Sequence, residues 1–331
     1  MHAFLNVVLP VSAIIFMGYL CGRLNFIPAQ GSRTINGFVY YFALPLLFID
    51  TLSAYNIADI FNGGIIVSFL GAQFLIMGGM LLISPYLFPT RLNPERILQA
   101  TTSIFSNTGY MGIPLMLTAY GDKGLLPAII TTIINGAVIL PLTLLLMEWA
   151  ILLANKQNDH NNDRADIPTQ RGVDLSKQIL FSLIKNPLLI GAFIGIVFSF
   201  LQIRPTGAFS TFLNLSGSAA APAALFAMGL FLVGQKINSD FLEIAFLTTF
   251  KVIVHPLLAI FIGLYLLNLN DVELAGAVIM AALPSGGLVF IMAQQFNLYE
   301  KQAAGAILLS TFMSLVTVSF FIDYFYTAFG G

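Results

Sequence analysis

The chain has 331 residues, of which 58% are hydrophobic and 9% charged, with a formal net charge of −1. Soluble domains carry about 25% charged residues, so the composition excludes a soluble globular domain. No nucleic-acid partner is expected of a chain so poor in Lys and Arg. A transmembrane helix needs about 20 mostly apolar residues. Ten such windows follow one another, at 4–22, 33–54, 63–84, 96–120, 125–154, 179–203, 209–234, 245–267, 272–296 and 302–326. The expected fold class is therefore an all-α membrane protein with the bilayer as its solvent.

The first window has no Lys or Arg before it and no small-residue cleavage site after it, so it reads as a retained helix and not as a signal peptide. Cys21 is the single cysteine, which excludes an intrachain disulfide. With the N-terminus outside, the inner loops hold Arg23, Arg33, Arg91, Arg96, Lys156, Arg164, Arg171, Lys177, Lys185, Lys236 and Lys301, and the outer loops only Lys123 and Arg204. The positive-inside rule then places both termini outside, in a multi-pass inner-membrane protein. Residues 155–178, NKQNDHNNDRADIPTQRGVDLSKQ, lack the apolar side chains for a core and read as a flexible cytoplasmic linker. His160 within it reads as a solvated loop residue, and no metal or cofactor is expected.

That linker separates two halves, 1–154 and 179–331, of five windows each. Pro10, Pro28, Pro45 and Gly18 recur 177 residues later as Pro187, Pro205, Pro222 and Gly195. Five is odd, so the second half enters the membrane with opposite polarity and the repeat is inverted. Window four contains SIFSNTGYMGIPL, residues 103–115, in which Asn, Thr, two Gly and a Pro interrupt an apolar run. The same offset carries Asn107-Thr108-Gly109 onto Pro284-Ser285-Gly286 in window nine. Pro114 and Pro284 cannot donate to the carbonyls of Tyr110 and Met280, so spans four and nine are expected to be broken helices facing inward, because unpaired backbone facing lipid costs several kcal/mol per group. Paired breaks of this kind mark a midplane substrate site in inverted-repeat transporters, where half-helix N-termini attract an anion. Asn107, Thr108 and Ser285 are the side chains placed to cap those ends or to reach the ligand.

The motif Ser106-Asn107-Thr108-Gly109-x-x-Gly112-Ile113-Pro114 resembles the fourth-helix motif of the auxin efflux carrier family in its compact bacterial form. Leu283-Pro284-Ser285, followed by Ala293-Gln294-Gln295-Phe296, resembles that family's ninth-helix motif. The resemblance implies ten helices in two inverted five-helix repeats, with four and nine crossing at their breaks. It also implies a scaffold of spans one, two, six and seven, and a mobile unit of spans three to five and eight to ten. The implied activity is secondary transport of small organic anions, auxin-like monocarboxylates or malate and malonate, by an elevator-type alternating-access mechanism. The substrate site implied comprises Asn107, Thr108, Gly109, Pro114, Pro284, Ser285 and Gly286. Relatives of that family often carry Asn a few residues after the ninth-helix proline, where this chain has Leu288.

Other polar groups read more plainly. Asp50, Glu148 and Asp323 lie near span ends and can reach interfacial water. Lys251 can snorkel, but His255, one turn deeper on the same face, is a candidate for proton or anion handling, as buried ionisable groups in membrane helices are by default. A satisfied structural histidine is the alternative. Gln73 and Asn135 suit interhelical hydrogen bonding. Gly18-x-x-x-Gly22 and Gly191-x-x-x-Gly195 allow close helix packing, either within the chain or in a homodimer. No G-x-x-x-x-G-K-[ST] loop points to ATP, and with three His and no H-E-x-x-H an intramembrane enzyme lacks its machinery. An enzyme is not expected. A sodium-coupled organic anion symporter of bile-acid-transporter type, an intramembrane enzyme as the main rival class, and a channel stand as alternatives.

Overall fold

In hydrocarbon there is no water to pair backbone N–H and C=O groups, and a chain this apolar must satisfy them within its own helices. The computed structural model describes residues 7–28, 30–161, 183–234, 240–269 and 271–326, the side chains of 153–161 and 271 excepted. In chain order the helices are α1 (Leu9–Arg23), α2 (Gly31–Ala54), α3 (Gly63–Leu87), α4 (Asn93–Thr102), α5 (Ile113–Tyr120), α6 (Asp122–Leu152, its last turns running on to Asn161), α7 (Pro187–Phe200), α8 (Gly207–Leu232), α9 (Phe241–Leu266), α10 (Asp271–Ala282), α11 (Leu288–Phe296) and α12 (Glu300–Phe325). Local chemistry sets several of the ends. The Asn62 side chain accepts from the Ile65 N–H at the start of α3, Asn186 accepts from Leu188 N–H just before Pro187 opens α7, and Asn297 closes α11 in the left-handed conformation.

Among the described residues, six helical runs are long and apolar enough to cross a membrane: 31–54, 57–87 (α3 with the one-turn helix Ile57–Ile60 before it), 122–152, 207–232, 241–266 and 300–325. Windows four and nine are each divided in two, as α4 with α5 and α10 with α11, and windows one and six are represented by the shorter helices α1 and α7. Helix continues through the first residues of the expected linker as far as Asn161. The rest of that linker lies outside the described residues, as does the side chain of His160.

Pro284 lies within the interruption of window nine, but most of the prolines in the spans do not break their helices. Widened π turns occupy Val39–Ala43, Thr108–Gly112, Asn135–Ile139 and Phe250–Val254, and each ends two residues before a proline: Pro45, Pro114, Pro141 and Pro256. A proline lacks the N–H and its ring crowds the carbonyl four residues back; inserting one extra residue into that turn relieves both faults. Pro114 therefore sits inside a continuous helical stretch. The break in window four lies upstream of it, at 103–107.

Glycines set the closest packing. A Cβ on Gly18 of α1 would lie 2.1 Å from the Phe226 carbonyl oxygen of α8, and one on Gly229 of α8 would lie 1.9 Å from that of Ile15. Gly191 and Gly195 of α7 stand in the same way against Pro45 and Phe48 of α2, at 2.6 and 2.8 Å. The small-residue faces at Gly18, Gly191 and Gly195 are thus used within the chain. Helices α1, α2, α7 and α8 pack chiefly on one another, while α3, α4, α6, α9, α10 and α12 form a second group.

At one end of this second group a polar network joins distant segments. Arg91 donates to Glu243 through Nε at 3.0 Å and Nη2 at 2.6 Å, and through Nη2 to Asp240 at 2.9 Å. Glu243 is buried and also accepts from the Gln99 amide and the Tyr299 hydroxyl. Hydrogen bonds from Gln302 and Arg91 hold the Asp240 carboxyl below its ordinary range, and burial beside Glu243 pushes the Tyr299 hydroxyl well above its own. A depressed carboxyl stabilises the fold above the ordinary carboxylate range and ceases to do so as pH falls through its folded value. This end therefore loosens on acidification. Leaving a buried carboxylate unpaired costs about 3–5 kcal/mol, whereas a pair replaced by apolar groups is often neutral. Arg91→Gln is accordingly expected to lower the melting temperature of the purified protein sharply, and the double variant Arg91→Met with Glu243→Met to recover most of the loss. Equal melting of Arg91→Gln and wild type would show that the network holds nothing together.

Candidate functional site

The breaks between α4 and α5 and between α10 and α11 meet each other. Ser106 and Ser285 form an isolated antiparallel bridge, in which Asn107 N–H donates to Pro284 O at 2.9 Å and Gly286 N–H to Phe105 O at 2.8 Å. Backbone groups that neither broken helix can satisfy alone are satisfied across the crossing. Side chains take up the remainder. The Ser285 hydroxyl donates to Thr102 O at 2.8 Å, and Ser310 Oγ accepts from Ser285 N–H at 3.0 Å. Gln73 of α3 donates to Ile104 O and to Asn135 Oδ1, and Asn135 of α6 donates to Ser106 O at 3.0 Å and to Thr108 Oγ1. The interhelical bonding expected of Gln73 and Asn135 is thus bonding to the crossing itself.

Glycine permits this approach. A Cβ on Gly286 would stand 2.9 Å from the Phe105 ring, and one on Gly112 would meet Met280 Cε at 2.5 Å.

Not every side-chain atom at the crossing is engaged: Ser106 Oγ and Gln73 Oε1 are buried without a hydrogen-bond partner among the described residues, and the Asn107 amide is only weakly held. Asn107 occupies the N-cap position of the turn that begins at Thr108, yet its side chain makes no capping bond. Its amide has only the Met228 sulfur nearby, at 3.6 Å, a weak acceptor. The residue is 7% exposed, and that exposure faces a cavity of about 530 Å³ lined by Arg33, Asn36, Tyr40, Tyr110, Leu288 and Gln294 among others. Small-molecule sites span roughly 300–1,000 Å³, mostly apolar with a few polar groups. A smaller pocket of about 50 Å³ adjoins it and is lined by Asn107, Thr108, Gly109, Asn135 and Gly286.

The sequence-derived residues therefore separate into two groups. Asn107, Thr108, Gly109 and Gly286 are brought together at the cavity walls. Ser285 is fully buried, with its hydroxyl committed to Thr102, while Pro284 supplies a carbonyl to the crossing and Pro114 is buried in the start of α5, off the cavity. Leu288, in place of a polar residue, lines both cavities. Arg33, Tyr40 and Tyr110 were not among the residues the sequence assigned to the site, and Gln294 entered only as part of the ninth-helix motif. Arg33, Asn36 with Gly37, and Tyr40 follow at helical spacing on one face of α2, but nothing in the sequence says which face meets the crossing.

Lys251 and His255 do not reach either cavity wall. Both are 0% exposed, and Lys251 Nζ donates to Ala281 O at 2.6 Å, at the C-terminal end of α10. A helix C-terminus is the negative end of its dipole and suits a cation. His255 Nδ1 lies 3.4 Å from Nζ, its ring packs 5.3 Å from that of Phe69, and Nε2 has no hydrogen-bond partner among the described residues. Ile104 and Ala281, whose carbonyls take Gln73 and Lys251, stand 177 residues apart, the offset of the sequence repeat.

Losing a hydrogen bond to a charged ligand group costs about 1.5–3 kcal/mol, a roughly ten- to hundredfold loss of affinity. Asn107→Ala should therefore bind an organic anion ten- to hundredfold more weakly at near wild-type stability. Ser285→Ala should do the reverse, losing stability more than affinity. Titration of both purified variants by calorimetry and thermal melting separates the two effects, and wild-type affinity in Asn107→Ala would remove that residue from the site.

Residues 3–322 match a family model described as membrane transport protein (Mem_trans). Among individual proteins, the chain is 27% identical over 315 residues to a Rhizobium meliloti protein named "Putative malonate transporter", covering 95% of this chain and 93% of that one. It is 26% identical to the "Uncharacterized transporter YfdV" of Escherichia coli K12, over 96% of each chain. It is 23% identical to "Auxin efflux carrier component 8" of Arabidopsis thaliana, over 93% of each.

Proposed function

The chain belongs to the auxin efflux carrier family of membrane transport proteins, and on that premise we propose that it is a secondary carrier of small organic anions with its substrate site at the crossing of the two broken segments. It is a membrane transporter and not an enzyme. One observation carries the finer reading: an uncommitted, nearly buried Asn107 amide faces a cavity of small-molecule size at the point where the two breaks bond each other. The relatives named for malonate and auxin, both carboxylates, agree with an anionic substrate.

The proposed layout is ten spans in two inverted five-helix repeats, with both termini outside and the linker in the cytoplasm. In this reading α1, α2, α7 and α8 form the scaffold. The second packing group moves against it as an elevator, carrying the crossing with it. The close glycine contacts of α1 with α8 and of α7 with α2 support this division, since each joins an element of one half to an element of the other. The cavity lies toward the start of α2 and the end of α11, which this topology puts on the cytoplasmic side. Lys251 and His255 stand behind the crossing at the end of α10, where a change of protonation would alter how that end is held.

Three measurements test these elements. Proteoliposomes should take up labelled malonate or related carboxylates, with wild-type uptake abolished by excess cold substrate; absence of uptake for every carboxylate would reject the carrier reading. Single cysteines placed in 155–178 of a Cys21→Ser background should react with impermeant thiol reagents only from the cytoplasmic side, and labelling of intact cells from outside would invert the topology. If the Lys251–His255 pair handles a proton, His255→Gln should flatten the pH dependence of uptake; an unchanged profile would return His255 to a structural role.

A further inference from the structure

We infer that Arg33 is the second anion contact of the larger cavity and makes the site favour doubly charged over singly charged carboxylates; this deepens the reading of that cavity as the substrate site. Among the described residues that line it, Arg33 is the one that is charged, and none is Asp or Glu. Its guanidinium makes no ion pair or side-chain hydrogen bond among the described residues. The contrast is Arg91, which spends its guanidinium on Glu243 and Asp240. A guanidinium in a cavity without a carboxylate leaves a net positive field there, focused by the low-dielectric walls.

Position supports the same role. Arg33 and Tyr40 lie about 10 Å apart along α2 at 1.5 Å per residue. Tyr40 is at the level of Asn107, lining both cavities with it. The two polar stations therefore stand at different depths, one at the crossing and one toward the mouth. Side chains on a helix lean toward its N-terminus, so Arg33 acts from the mouth side while Asn107 holds the inner carboxylate. The bland account of Arg33 is an interfacial anchor at a helix start. An anchor would not care how many charges the ligand carries.

Coulomb energy is proportional to ligand charge. Deleting a fixed cation that acts through its field should therefore weaken a dianion by about the square of the factor for a monoanion. Malonate and propionate form a suitable pair: both have three carbons, and well above the carboxylate range malonate carries two charges. Binding would be read as saturable thermal stabilisation of purified full-length protein at low, matched ionic strength, where screening is least. We expect Arg33→Gln to raise the malonate Kd about tenfold and that of propionate about threefold. Arg33→Lys, which keeps the charge, should stay within about twofold of wild type for both. Melting temperatures without ligand should be unchanged, because Arg33 is exposed and has no ion pair among the described residues. Equal factors for the two anions, no change in either, or failure of malonate to stabilise the wild type would each overturn the proposal. Intact, charge-dependent binding without uptake in proteoliposomes would instead reject the carrier reading and leave the Arg33 contact standing.

Discussion

The fold depends on two backbone hydrogen bonds between segments far apart in sequence, from Asn107 N–H to Pro284 O and from Gly286 N–H to Phe105 O. A helix interrupted in hydrocarbon exposes groups that cost several kcal/mol each if left unpaired. Here each break supplies what the other lacks, so neither could be ordered alone. The rest of the polar chemistry in the core is arranged around this exchange. Gln73, Asn135, Ser310 and Lys251, from α3, α6, α12 and α9, all spend donors or acceptors on the same two segments. These are helices whose other faces are almost wholly apolar, and the crossing is where their few polar atoms converge.

That commitment explains why Asn107 stands out. Buried polar side chains are normally hydrogen-bonded, and an exception calls for a reason. Ser285 and Asn135 at the crossing are engaged, whereas Ser106 Oγ has no partner among the described residues but, unlike Asn107, does not line the larger cavity. Asn107 contributes its backbone to the crossing and keeps its amide for the cavity. Structural and ligand-facing duties are thus divided between main chain and side chain of one residue, which lets the site be polar without weakening the element that supports it.

Much of this was legible in the sequence. Composition required a membrane fold, the windows located the helices, and the 177-residue offset put Asn107-Thr108-Gly109 opposite Pro284-Ser285-Gly286 before any coordinates were needed. What the sequence could not order was the importance of individual side chains. Ser285 and Asn107 look alike as small polar residues at the two matched breaks, and only the geometry shows one turned into the core and the other toward the cavity. The Arg91–Glu243 network and the Arg33 face of α2 were invisible for the same reason. Each depends on which sides of helices face one another across more than a hundred residues of chain, and periodicity does not record that. The lost backbone bond at Pro114 produces no break of its own for a different reason: the rule that proline ends a helix omits the cheaper option of widening one turn.

Those widened turns have a consequence for how the sequence can vary. A π turn holds one residue more than the α-helix it interrupts, and each residue turns the helix by about 100°. If Pro45, Pro114, Pro141 or Pro256 were exchanged for a residue with a free N–H, the turn before it could anneal into ordinary helix. Everything on one side of it would then rotate by about 100° relative to the other, carrying His255 or Asn135 away from its partners. A chain that loses such a proline during divergence can keep its contacts only by shedding one residue from the same turn. Paired loss of a proline and a neighbouring position, appearing in an alignment as a one-residue gap inside a membrane helix, would be the trace of that compensation and should not be mistaken for an alignment error.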